Sequence, residues 1–254
     1  MNHLYQWDDD IIRWYRLAAD RHHFHRDLAA AVVPMLPPDA RVCDMGCGLG
    51  YLSLNLAPHV KRLDAMDRNA RVVGCLRELA AQQGVSNLSA YVTDFERTPA
   101  PEEKYDAMIF SFYGRTPWHV QAARRWTKEK LIVISNAERS TGFDGRARID
   151  PTCHAGAFAQ YLSERHIPYR RQYLELPFGQ PFWDLADARR FLACYTDETG
   201  TDLEAILQRE LVRGRDSPYY LPHMKRMSLF DIDLSPARES GVWETIQAIE
   251  VNCR

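Results

Sequence analysis

The stretch VCDMGCGLGYLSL, residues 42–54, sets three glycines at alternate positions between two apolar runs. Upstream, RVCDM (41–45) has the length and apolar content of a strand, and the run downstream suits a helix. Glycine has no Cβ, so the turn is open to positive φ and a ligand can come close to its backbone. A strand, a turn of this kind and a helix together predict a pocket at the turn.

The same alternation continues outward. Strand-length apolar runs recur as RLDAMD (62–67), LSAYVTD (88–94), YDAMIFSF (105–112) and KLIVISNA (130–137). Between them lie helix-compatible segments, Asn69 to Gln83 with Val72, Val73, Leu76, Leu79 and Ala80 on one face, and Pro117 to Trp126. Parallel strands need crossovers of this length, so the middle of the chain predicts an α/β, Rossmann-like open sheet with helices on both faces. Ala155 to Arg165 adds a helix, YRRQYLELPFGQPF (169–182) a strand leaving through a Pro/Gly turn, and MSLFDIDL (227–234) a last strand. Before the last strand, DLADARRFLACY (184–195) and TDLEAILQREL (201–211) have helical spacing, and Thr201 with Glu204 has the pattern of a capping box. Ahead of the sheet, Trp7, Ile11, Tyr15, Ala18, Leu28 and Val32 describe one or two amphipathic helices. The expected organisation is one domain: a helical cap (1–38), a core (39–182), a helical insertion (183–226) and a C-terminal strand region (227–254).

Bulk properties narrow the function classes. A chain of 254 residues with 46% hydrophobic and 26% charged residues buries a full core. A net charge of −2 supplies no global attraction to nucleic acid or to an anionic membrane, and the arginine-rich stretch from Arg139 to Arg171 reads as a solvated face. Six cysteines without a CxxC pair fit a reducing compartment. MNHLYQWDDD lacks the layout of a secretory signal, and the longest apolar run, LAAAVVPML, is broken by Pro34, so the expectation is a cytoplasmic protein.

Charge and spacing then narrow the ligand. Gly46, Gly48 and Gly50 make GxGxG, whereas dinucleotide binders favour GxGxxG. Asp44, two residues ahead of the first glycine, would repel a pyrophosphate but suits a ligand bearing an ammonium and a sulfonium. Asp67 ends the second strand run, where a carboxylate can accept from both hydroxyls of a ribose; a helix N-cap is its other reading, a role Asn69 could take instead. Asp94 ends the third run, where it could accept from an adenine amino group while the backbone N–H of Phe95 donates to the ring. Three acids after three successive strands line one sheet edge, the crevice in which open α/β folds bind ligands.

Through VCDMGCGLG (42–50), LDAMD (63–67), VTDF (92–95) and YDAMIFSF (105–112), the chain resembles the class I S-adenosylmethionine-dependent methyltransferases over roughly residues 40–137. The resemblance implies a seven-stranded sheet with one antiparallel strand. It implies that Asp44 and the glycines face the methionine part of the cofactor, Asp67 the ribose, and Asp94 with Phe95 the adenine. Cys47, Arg68 and Ser111 complete the expected S-adenosylmethionine-binding set. SFYGR after the fourth strand departs from the Asp/Asn-Pro-Pro-Tyr motif of members that methylate nucleobase or glutamine amides. Together with the caps at either end, this departure favours a small-molecule acceptor, an analogy at fold level.

Direct transfer from a sulfonium needs alignment, exclusion of water and, for some acceptors, a proton acceptor, but no metal. Ser111, Tyr113, Trp118, Trp183, Tyr220 and Tyr15 are candidates to touch the acceptor, with Tyr113 and His119 as catalytic candidates. His119 or His23 could serve as a general base. In RHHFHRD (21–27), His22 and His25 are three apart and could share a helix face, but no partner stands at metal-ligand spacing, so they read as solvent-facing. Two other functions fit less of the pattern: a nicotinamide-dependent oxidoreductase with Arg68 facing a 2′-phosphate, and a cofactor-binding module without turnover.

Overall fold

The computed structural model describes residues 7–95, 97–114, 118–137, 140–148, 155–196 and 200–235. Two helices open the chain, α1 (Asp9–Arg21) and α2 (Phe24–Val32). The alternating core follows as β1 (Arg41–Met45), α3 (Tyr51–Leu56), β2 (Arg62–Asp67), α4 (Ala70–Gln82), β3 (Leu88–Val92), β4 (Tyr105–Ser111), α5 (Trp118–Trp126) and β5 (Thr127–Asn136). A two-residue pair, β6 (Ser140–Thr141) and β7 (Ala147–Arg148), precedes α6 (Ala155–Glu164) and β8 (Tyr169–Pro177). The insertion holds β9 (Gln180–Phe182), α7 (Leu185–Tyr195), α8 (Thr201–Glu210) and β10 (Tyr219–Leu221), and β11 (Met224–Asp233) closes the described part.

The main sheet has seven strands in the order β3-β2-β1-β4-β5-β11-β8. β11 runs antiparallel to both neighbours, while β1 to β5 are mutually parallel. The strand order reverses between β1 and β4, which opens a crevice at their carboxyl ends. The glycine turn follows β1, and Ser111 to Tyr113 follow β4, so both lie at that crevice.

The period of two along each strand divides the core into two layers. Val42, Ala107, Ile109, Ile132 and Ile134 pack with α2, α3 and α4 through Leu28, Leu52 and Leu76. Cys43, Met108, Phe110, Leu131 and Val133 face the opposite way and pack with α5 and α6 through Val120 and Phe158. Because both faces are covered, these strands read as nearly continuous apolar runs. Among the described residues Cys43, Cys47, Cys75 and Cys194 are free thiols, and no helix is long and apolar enough to cross a membrane.

A third cluster joins the opening helices to the insertion: Ile11 and Trp14 of α1 pack with Phe182, Phe191, Leu192, Ile206 and Leu221. The polar centre of this junction is Asp187, which accepts from both Arg13 guanidinium nitrogens (2.8 and 2.6 Å), from Trp14 Nε1 (3.1 Å) and from Arg190 (2.8 Å). Burial pushes its carboxyl up, but the hydrogen bonds and charge of Arg13, aided by Trp14 and Arg190, outweigh that and hold it below the ordinary carboxylate value. Replacing Asp187 by Ala should cost about 2–3 kcal/mol, since it strands the buried indole N–H and leaves Arg13 and Arg190 with Asp10 as their carboxylate. Thermal melting at neutral pH checks this. The cost should shrink as pH falls below the unfolded carboxylate's value near 4, because the folded-state advantage of a depressed pKa is lost on acidification.

Two local expectations change. The capping box at Thr201 does not form: α8 is preceded by Gly200 at φ +57°, with no side-chain cap, and the Glu204 carboxylate is bound by Arg189 of α7. The last strand starts three residues earlier than its apolar run, at Met224, because Met224, Lys225 and Arg226 pair with Pro177, Leu176 and Glu175 of β8.

Candidate functional site

The turn after β1 carries Gly46, Gly48 and Gly50 at φ +74°, +54° and +74°, values that disfavour any other residue. The N–H groups of Gly46 and Cys47 donate to the Met66 carbonyl of β2 (2.7 and 3.0 Å), which ties the turn to the neighbouring strand. A Cβ at Gly46 would lie 2.2 Å from Tyr113 Cγ, and one at Gly48 would lie 3.1 Å from the Trp7 ring. Gly50 is the entry residue of α3, where a Cβ would meet Leu76 at 2.3 Å, so its requirement comes from packing.

Asp44 is 1% exposed. Ser53 Oγ donates to one of its carboxylate oxygens at 2.5 Å, and the other oxygen is buried with no protein partner. Burial raises its pKa to about 6, with the Ser53 hydrogen bond opposing and the charge of Asp67 adding to the rise. Asp67 accepts from the N–H of Gly48 (3.0 Å) and of Asn69 (2.9 Å). α4 is capped by the Asn69 side chain, which accepts from the Arg71 N–H, so Asp67 is left to the turn.

These groups line a cavity of about 390 Å³ at the carboxyl ends of the strands, roofed by Trp7, α1 and α2. Asp44, Gly46, Cys47, Gly48, Asp67, Arg68, Ser111, Tyr113 and Tyr15 all lie on its wall. Other expected site residues lie elsewhere. Asp94 is exposed beside Arg97 (3.4 Å), and Phe95 is buried against Trp126 and Phe110 (ring centroids 4.7 and 6.4 Å). Trp183 is an exposed surface residue, and the Tyr220 hydroxyl is bonded to His22 Nε2 (3.1 Å). Trp118 opens α5, and its side chain lies outside the described residues.

Three histidine expectations are corrected. His119 is buried with Nε2 against the Tyr113 carbonyl, and burial lowers its pKa to about 4, so it fastens the loop after β4 behind the cavity wall. His23 precedes α2 and is exposed, away from the cavity. His22 and His25 do not share a helix face, because α1 stops at Arg21 and α2 begins at Phe24. His25 is 6% exposed and lines the cavity, with Nε2 2.8 Å from the Tyr15 hydroxyl and Nδ1 without a partner. Burial, with the charge of Lys225 adding, lowers its pKa to about 3, so the ring stays neutral. Its spacing to Leu28, Ala29 and Val32 is the apolar stripe of α2, and that signal was available in the sequence. Sequence reading also missed Phe24, Phe112 and Lys225 on the wall; Lys225 precedes its apolar run and carries no such signal.

Comparison with known proteins agrees with this geometry. Residues 42–130 match the methyltransferase domain family. The uncharacterized methyltransferase YcgJ of Bacillus subtilis (strain 168) is 24% identical over 128 residues, which are 50% of this chain and 49% of that protein. The match thus spans about half the length of that curated relative. The crystal structure of YcgJ superposes with a TM-score of 0.52 at 15% identity, covering 83% of this chain and 98% of that one. Coclaurine N-methyltransferase bound to N-methylheliamine and SAH gives 0.50 at 13% identity, covering 81% and 71%. These likenesses establish the fold. Residues 42–130 thus match a methyltransferase domain, and the sequence motifs that resemble the class I S-adenosylmethionine-dependent methyltransferases imply S-adenosylmethionine as the cofactor.

The residues fit that cofactor on two observations. Asp44 offers a buried carboxylate oxygen that no protein group satisfies, and such an atom is costly unless a ligand pairs with it. Gly48 faces the cavity-lining Trp7 ring, and a Cβ there would stand 3.1 Å from it and narrow the cavity at the turn. Asp67→Ala should weaken cofactor binding by about 1–3 kcal/mol through lost charge-assisted hydrogen bonds. Calorimetric titration with S-adenosylhomocysteine reads this directly, and unchanged affinity would remove Asp67 from the ribose.

Proposed function

We propose that the chain transfers the methyl group of S-adenosylmethionine to a small-molecule acceptor by direct in-line displacement. The observation that carries this reading is the unpartnered Asp44 oxygen buried beside the glycine turn, in a cavity whose far wall is aromatic. When bound, the cofactor supplies an electrophilic methyl group on a good leaving group. Asp44 then faces the ammonium end, Asp67 the ribose, and Cys47, Arg68 and Ser111 line the same end of the cavity. Tyr15, fixed through its hydroxyl to His25, forms with Trp7 the roof that excludes water and limits the approach of the acceptor. The neutral His25 imidazole is a weak base at this burial, so its part is to hold the Tyr15 hydroxyl in place.

Incubation with methyl-labelled S-adenosylmethionine and a metabolite extract tests the proposal. Label in a low-molecular-mass product supports it. Label only in protein or nucleic acid, or none with cofactor bound, rejects it.

A further inference from the structure

Lys225, the second residue of β11, lines the cavity. Its ammonium stands 3.7 Å from the centroid of Phe112 and 5.8 Å from those of Phe24 and Phe178. Such faces attract the charge but accept no ordinary hydrogen bond. Among the described residues, no carboxylate pairs with Lys225 and no oxygen accepts a hydrogen bond from it, so an ammonium with three donors is presented to the cavity. Burial lowers its pKa to about 8, which leaves it mainly charged at neutral pH.

Its distance from the cofactor end decides what it serves. In the sheet order β1-β4-β5-β11, Lys225 is rooted three strands from the turn after β1. At about 4.8 Å per strand its backbone stands on the order of 14 Å from that turn, and its ammonium lies over Phe112, past the end of β4. The cation therefore belongs to the part of the cavity beyond the cofactor, where Phe24, Phe112, Tyr15 and Tyr195 supply apolar walls.

We infer that the methyl acceptor is a small aromatic carboxylic acid: the Lys225 ammonium would hold one carboxylate oxygen while the ring packs among Tyr15, Phe24 and Phe112, and the other oxygen would bond to the methyl carbon as the carbon–sulfur bond breaks, giving a methyl ester and S-adenosylhomocysteine with no proton to remove. This rests on the methyltransferase reading and adds the acceptor's class to it. A carboxylate fits better than a phenol because it is ionised in solution at neutral pH, whereas the cavity-lining His25 is too weak a base to ionise a phenol.

The test is calorimetric titration of the full chain saturated with S-adenosylhomocysteine, using benzoate, phenylacetate and 4-hydroxybenzoate, each against its own carboxamide. At least one acid should bind tenfold or more tightly than its amide. Lys225→Met should reduce that acid's affinity at least tenfold with S-adenosylhomocysteine affinity held within twofold, and Lys225→Arg should restore part of the loss. If no acid outbinds its amide on the wild-type chain, the inference is overturned, whatever the variants do. If Lys225→Met weakens S-adenosylhomocysteine as much as the acid, Lys225 serves the cofactor and the inference also fails. Absence of S-adenosylhomocysteine binding to the wild-type chain defeats the methyltransferase reading itself, a result separate from either.

Discussion

Asp44→Asn should give a protein that is more stable without ligand and binds S-adenosylmethionine about 30- to 100-fold more weakly. The two effects share one cause. Asp44 is buried, and desolvation lifts its pKa from 3.8 to about 6. A carboxyl whose folded-state pKa is raised binds more protons folded than unfolded, so its contribution to stability falls as pH rises from about 4 to about 6. Above that window the cost is fully present, up to about 3 kcal/mol at 1.36 kcal/mol per unit. The neutral amide removes this cost but leaves its own N–H to satisfy, so a gain of about 1–2 kcal/mol is expected in the melting of the ligand-free protein at pH 7.5. A cationic ligand needs the carboxylate form. In the wild type, cofactor affinity should therefore be about tenfold weaker at pH 5 than at pH 7, and Asp44→Asn should flatten that dependence. Equal affinity for wild type and variant would show that Asp44 does not face the ligand's positive end.

Gly48→Val should abolish measurable cofactor binding, a loss of at least 100-fold, while the chain still folds. The backbone at this position sits at φ +54°, a region a β-branched residue rarely enters, and the new Cβ would stand 3.1 Å from the Trp7 ring with its methyl groups toward the cavity. The Gly48 N–H is also the donor that holds Asp67, so a displaced turn releases the carboxylate expected to hold the ribose. Circular dichroism and a melting curve lowered by about 1–3 kcal/mol would show a folded but strained chain. Gly74→Ala is the matched control: it lies within α4, a Cβ there meets nothing within 4 Å, and it should leave binding unchanged. A Gly48→Val protein that binds normally would mean that the ligand does not approach this turn.

The parts of the site that are local in sequence were legible there. The strand runs at 41–45, 62–67 and 105–112 became β1, β2 and β4, because strands covered on both faces must be apolar throughout. The glycine turn, Asp44 and Asp67 converge because each follows or ends a strand whose carboxyl end faces the crevice. The acceptor side was not legible. His25 reads as solvent-facing in the sequence because no partner stands at metal-ligand spacing, whereas the break between α1 and α2 turns it under the roof. Lys225 reaches the cavity only through the pairing of β11 with β8, a contact between positions about fifty residues apart that no local pattern announces. Trp183 and Tyr220 belong to the insertion, and only the packing of α1 on that unit decides that α1, through Ile11 and Tyr15, lines the cavity instead, together with Tyr195 from the insertion.

The most direct test of the cofactor assignment is calorimetric titration of the purified chain with S-adenosylhomocysteine and, separately, with NADPH. Saturable binding of S-adenosylhomocysteine, weakened by Asp67→Ala and absent in Gly48→Val, is the expected result. Tight binding of NADPH with none of S-adenosylhomocysteine would contradict it and return Arg68 to the role of a 2′-phosphate ligand.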